Sequence, residues 1–76
     1  MKTVIEAKVL VTEQIYGSLP SHPERVRECV TAAAQAMNET AADRGREISE
    51  TPRLVDQRAT GLGFVELRFE AATVKR

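Results

Sequence analysis

The sequence predicts an α+β domain of order β-α-β-β: a three-stranded antiparallel sheet, order 1-3-2, covered on one face by a single long helix. Three observations carry this. Residues 3–12 and 64–72 alternate their side chains with the period of two of a half-buried strand. Residues 22–44 repeat apolar positions at helical spacing. Between residues 53–59 and 64–72 stands Thr60-Gly61-Leu62-Gly63, a turn sequence that folds two strands into a hairpin. With 76 residues, the chain suffices for one domain, 1–76.

In the first strand, Ile5, Ala7, Val9 and Val11 form the core face, because the alternate set Val4, Glu6, Lys8 and Leu10 carries two charges. Residues 13–21 read as a loop broken by Gly17, Ser18 and Pro20, with Ile15, Tyr16 and Leu19 able to plug the end of the core. Two start signals compete for the helix. Ser21 with Glu24 spells a capping box, whereas Pro23 prefers the first helical position and makes His22 the cap. Arg44, Gly45 and Arg46 suit the helix end. Val26, Cys29, Val30, Ala33, Ala34, Ala36, Met37, Thr40 and Ala41 fall within an arc of roughly 160°.

Residues 53–59 form the second strand, with Val55, Gln57 and Ala59 facing one way, and Pro52 marks its entry. Residues 64–72 form the third, whose Val65, Leu67, Phe69 and Ala71 make a clean apolar set. A helix of this length and a ten-residue strand each span about 33 Å, so one helix crosses the whole sheet. The arrangement resembles half of a ferredoxin-like unit. Val9, Val30, Met37, Val65, Leu67 and Phe69 are expected in one core.

Composition excludes several functions. Eleven basic residues balance eleven acidic ones, for a formal net charge of zero. That is neither the cationic coat of a nucleic-acid binder nor an acidic disordered tail. No apolar run approaches the roughly 18 residues of a membrane span, and the first residues lack the apolar stretch of a signal peptide. A cytoplasmic protein is expected. One cysteine excludes an intrachain disulfide, and one histidine excludes a His-rich metal site. A core this small rarely gives more than roughly 3–5 kcal/mol, so oligomerisation is the remaining means of stabilisation. Arginine outnumbers lysine and alanine is frequent, which fits a GC-rich genome. The strand-helix-hairpin pattern resembles that of small accessory proteins of phages and actinobacteria, and such an origin is the expectation.

No catalytic constellation emerges. His22 has Ser18 and Ser21 nearby, but no carboxylate is marked to orient it, so it reads as a cap or a solvated side chain. Cys29 lies on the apolar arc and reads as core. Gly61-Leu62-Gly63 lies between strands and lacks the third glycine of a dinucleotide site. Lys8, Arg53, Arg58 and Arg68 share the helix-free sheet face with Glu6, Asp56, Glu66 and Glu70, as expected of cross-strand ion pairs. Only Phe64 stands there to stack a base.

The strand-helix-hairpin order is similar in topology to that of dodecins, small flavin-binding oligomers. Dodecins place a tryptophan on the strand after the helix to stack the flavin, and this chain has none. The resemblance is therefore one of topology only: no motif carries over, and no cofactor is expected.

These readings converge on a non-enzymatic protein-interaction module: a homodimer or higher oligomer, with no cofactor, no metal, no nucleic acid and no membrane partner, and with another protein as a second possible partner. The alternative is a small-molecule-binding oligomer with pockets between subunits. The expected interaction surface is Val4, Leu10, Leu54, Phe64, Arg58 and Arg68 on the helix-free face, with Phe64 at or near the contact. Ala32 and Ala36 offer a second contact on the helix. The candidate functional loop comprises Ile15, Tyr16, Leu19 and His22.

Overall fold

The computed structural model describes residues 3–76. The elements are β1 (Thr3–Thr12), α1 (Glu13–Ser18), a 3-10 turn (Leu19–Ser21), α2 (Pro23–Ala42), β2 (Arg46–Ile48), β3 (Arg53–Ala59) and β4 (Phe64–Lys75). The class is α+β, with an antiparallel sheet, one long helix and one short one. The sheet has four strands rather than the three expected in order 1-3-2. β4 is central. β1 pairs with one edge of it, while β2 and β3 follow one another along the other edge.

The extra strand arises because β4 runs on to Lys75 and needs a partner there. Buried Thr73 anchors it. Its hydroxyl donates to the Thr3 carbonyl (3.2 Å) and accepts from Arg46 Nε (2.8 Å), and Arg46 Nη2 reaches the Thr73 carbonyl (3.1 Å). Between β2 and β3 the chain leaves the ladder, but β4 stays satisfied. The Ser49 amide donates to the Ala72 carbonyl (2.9 Å), and the Glu50 carboxylate accepts from the Ala72 amide (3.1 Å). A side chain thus stands in for a missing backbone carbonyl.

Residues 13–21 are helical, not a loop. Thr12 Oγ1 accepts from the Ile15 amide (3.1 Å) and caps α1. The Ser18 hydroxyl donates to the Ile15 carbonyl (2.8 Å), and Pro20 sits in the 3-10 turn where its missing N–H costs nothing. Gly17 is therefore part of a helix and breaks nothing. For α2 the Pro23 start prevails over the Ser21–Glu24 box. Ser21 belongs to the 3-10 turn, His22 is the N-cap residue, and no side chain caps the helix there. The helix ends at Ala42, two residues before the expected Arg44, and the Gly45 amide donates back to the Ala42 carbonyl (3.0 Å).

The buried stripe of α2 is Cys29, Ala33, Met37 and Ala41, spaced four apart, with Val30 and Ala34 half-buried and Val26, Ala36 and Thr40 exposed. It is narrower than the predicted arc because α2 packs mainly over β1, β2 and β4 and leaves β3 uncovered. Ala33 and Ala41 let the helix approach the sheet, which supplies the bulk: Ile5, Val11, Val65, Leu67 and Phe69 are buried beneath it. Of the six expected core residues, Met37, Val65, Leu67 and Phe69 are buried, and Val9 and Val30 pack partly buried against them.

Candidate functional site

The uncovered side of β3 creates the principal concavity. It lies between the first turns of α2, the α1 corner and the hairpin, with a volume of about 570 Å³. Tyr16, Leu19 and Pro20 form one wall, Val26, Cys29 and Val30 another, and Leu54 the third; Leu67 and Phe69 make the floor. Every one of these walls is apolar. Such a lining at such a volume matches the general anatomy of ligand pockets, which are mostly apolar and roughly 300–1,000 Å³.

Leu54 reaches the groove through an irregularity. The β3–β4 register passes from Leu54↔Phe69 to Asp56↔Arg68, leaving Val55 as an extra residue. This bulge places Leu54 on the helix side with Phe69, whereas regular alternation with Val55, Gln57 and Ala59 had placed it on the helix-free face. Gln57 and Ala59 lie opposite Leu67 and Val65, on the helix side as the alternation implied, while Val55 is displaced into the bulge.

The other five residues of the expected interaction surface do share the helix-free face. Val4 pairs with Ala72, Leu10 with Glu66, Phe64 with Thr12, Arg58 with Glu66, and Arg68 with both Lys8 and Asp56. The middle of this face is a charge lattice rather than an apolar patch. Arg68 lies 3.3 Å from Glu6, 3.9 Å from Asp56 and 4.0 Å from Glu70, and Lys8 lies 3.7 Å from Glu66. Opposite charges across strands stabilise the sheet modestly and leave no uncompensated positive surface.

Among the loop candidates, Tyr16 and Leu19 line the groove, and Ile15 packs against the core. The His22 amide donates to the Leu19 carbonyl (3.1 Å), but His22 is not among the groove residues. Its Nδ1 meets the Glu24 carboxylate at 3.0 Å, and Glu24's own backbone amide, followed by this histidine, holds that carboxyl below the ordinary range. The Ser18 hydroxyl is engaged by Ile15 and by Arg25 Nη1 (3.0 Å). His22 and Ser18 thus have separate partners and form no nucleophile–base pair. Burial, and then the charge of Glu28, pushes the Cys29 thiol pKa up, opposite to the shift of a reactive thiolate. Among the described residues no cluster of three or more metal-ligating side chains occurs, and no helix is long and apolar enough to cross a membrane.

The sequence reading missed Val26, Pro20 and Leu54 as groove residues. Val26 and Val30 were visible as members of the apolar arc of the helix. The bulge at Val55 has no mark in the sequence. No protein-family model, curated protein or solved structure matches the chain.

Proposed function

We propose that this protein is a non-enzymatic interaction module that works as a homo-oligomer, an accessory or adaptor rather than a catalyst. One observation carries the reading. A single copy leaves unsatisfied surface on a chain too small to neglect it: an open apolar groove beside a β3 that is exposed along its whole length, and a ten-residue edge strand on the opposite side. Natural proteins seldom leave long sheet edges unpaired. The separate engagements of His22 and Ser18 and the raised pKa of Cys29 favour binding over catalysis. Light scattering at micromolar concentration tests the reading: a mass that is a multiple of 8.4 kDa supports it, and a single-chain mass overturns it.

The groove favours a second reading, an oligomer that binds a small apolar molecule. Native mass spectrometry of protein purified without added ligand distinguishes the two. Co-purified mass beyond the polypeptide supports the second, and bare oligomers support the first.

A further inference from the structure

We propose that two copies of this chain pair through β1, antiparallel, across a two-fold axis at Ala7. The proposal rests on the homo-oligomer reading and names its interface and register.

The two edges of the sheet differ in kind. The β2–β3 edge is interrupted by Pro52, bulged at Val55, and partly closed, because the Asp56 carboxylate accepts from the Gln57 amide (2.9 Å). Interruptions, prolines and bulges are the usual ways of blunting an edge. β1 has none of them. It follows β4 in unbroken register from Thr3↔Thr73 to Thr12↔Phe64 and contains neither proline nor glycine.

The ladder fixes which β1 groups are free. The Thr60 amide donates to the Phe64 carbonyl on one side of β4, and the Glu13 amide donates to the Gly63 carbonyl on the other. Hydrogen-bonded pairs alternate along an antiparallel ladder. The odd residues of β4 therefore bond to β1, through Ile5, Ala7, Val9 and Val11. Val4, Glu6, Lys8 and Leu10 turn their N–H and C=O groups outward, where no strand among the described residues meets them.

Read outward from Ala7, the strand is self-complementary. With Ala7 opposite Ala7 of a second copy, Glu6 faces Lys8, Lys8 faces Glu6, Val4 faces Leu10, and Ile5 faces Val9. Every pair keeps core face with core face and open face with open face. The four outward residues become the hydrogen-bonded pairs. Ala7 falls at the non-bonded pair, where Cα atoms approach to about 4.5 Å and a methyl side chain fits. Moving the axis one residue either way sets Glu6 against Glu6 or Lys8 against Lys8, so charge selects this register. The pairing also brings Leu10, 61% exposed, against Val4, 47% exposed, and yields one continuous eight-stranded sheet.

Charge reversal tests the register. Glu6→Lys sets lysine against Lys8, and Lys8→Glu sets glutamate against Glu6, so each variant alone is expected at single-chain mass by light scattering. An equal mixture restores both opposite-charge pairs and is expected to recover the two-chain mass. Both sites are exposed and their intrachain ion pairs lie at the surface, so the fold is expected to survive. A wild type at single-chain mass overturns this proposal and the homo-oligomer reading together. A dimeric wild type whose two variants stay dimeric alone, or whose mixture fails to recover the dimer, overturns the β1 interface and leaves the oligomer reading standing. Amide exchange on the wild type reads the same contact without substitution. Glu6, Lys8 and Leu10 are expected to be protected in the dimer, and exchange there at the rate of an exposed strand overturns the interface.

Discussion

Leu54 lies opposite Phe69 on the helix side of the sheet, because Val55 bulges out between the pairs Leu54↔Phe69 and Asp56↔Arg68. That one residue changes the character of both faces. It removes a leucine from the helix-free face, which is left as a charge lattice with apolar ends at Val4, Leu10 and Phe64. It also adds a third wall to the groove beneath the start of α2.

An apolar fluorescent dye is therefore expected to bind the groove, and Leu54→Glu to abolish most of that binding by setting a carboxylate in an apolar wall. Leu54 is partly exposed, so the fold should tolerate the change. Val4→Glu, on the opposite face, should leave the dye signal unchanged. Equal loss in both variants would place the dye elsewhere.

Leu67, only 1% exposed, is among the largest fully buried side chains. Leu67→Ala is expected to cost about 2–5 kcal/mol in urea or thermal unfolding, the range for truncating a buried leucine. On a domain this small the variant should approach complete unfolding at ordinary temperature. A melting point within a degree or two of wild type would contradict the β4 core register.

Cys29 provides a pH reading. Burial holds its thiol pKa above the ordinary value, so the folded state resists forming the thiolate that the unfolded state forms readily. This contribution to stability is fully present below the unfolded-state pKa and is lost as pH rises from there through the raised folded value. Alkylation by iodoacetamide near neutral pH should be slow in the native protein and fast in urea. Equal rates would show the thiol to be accessible.

Phe64→Glu separates a face contact from an edge contact. Phe64 sits on central β4 opposite Thr12, on the helix-free face. With pairing through β1, the variant should keep the wild-type mass in light scattering. Dissociation would move the interface onto the helix-free face, where the alternation of residues 64–72 first suggested it.

What the sequence made legible were the elements whose environment repeats. The alternation in residues 3–12 gave β1 its bounds, and Pro23 and the helical spacing located α2. Residues 53–59 were legible as a strand from the turn that follows them, but which way Leu54 faced was not, since a bulge is set by register against β4. β2 has only Arg46, Glu47 and Ile48, too few to show a period, and exists because Thr73 and Arg46 hold the end of β4. Residues 13–21 misled because Gly17 and Pro20 signal breaks on average, whereas the Thr12 cap and the Ser18 hydroxyl close local helical turns here. The alternation of charged residues along the strands foretold the lattice around Arg68, but the groove needed the third dimension.

Two neighbouring prolines test the alternation of β1 independently of any partner. Ala7 bonds to Phe69 within the ladder, so Ala7→Pro removes an N–H from an internal bond and leaves the Phe69 carbonyl without its donor. That loss is expected to cost about 1–3 kcal/mol, before any distortion by the ring. Lys8 turns its N–H outward, so Lys8→Pro keeps the β1–β4 bonds intact, as prolines do on sheet edges. It gives up only an exposed ion pair with Glu66, worth about 0–1 kcal/mol. Urea unfolding at concentrations where the wild type is a single chain should therefore rank Ala7→Pro well below Lys8→Pro. At concentrations where the wild type is dimeric, Lys8→Pro should remain a single chain, because the same N–H is one of the donors the second copy needs. Equal destabilisation by the two prolines would mean that the outward groups of β1 are not those of Val4, Glu6, Lys8 and Leu10.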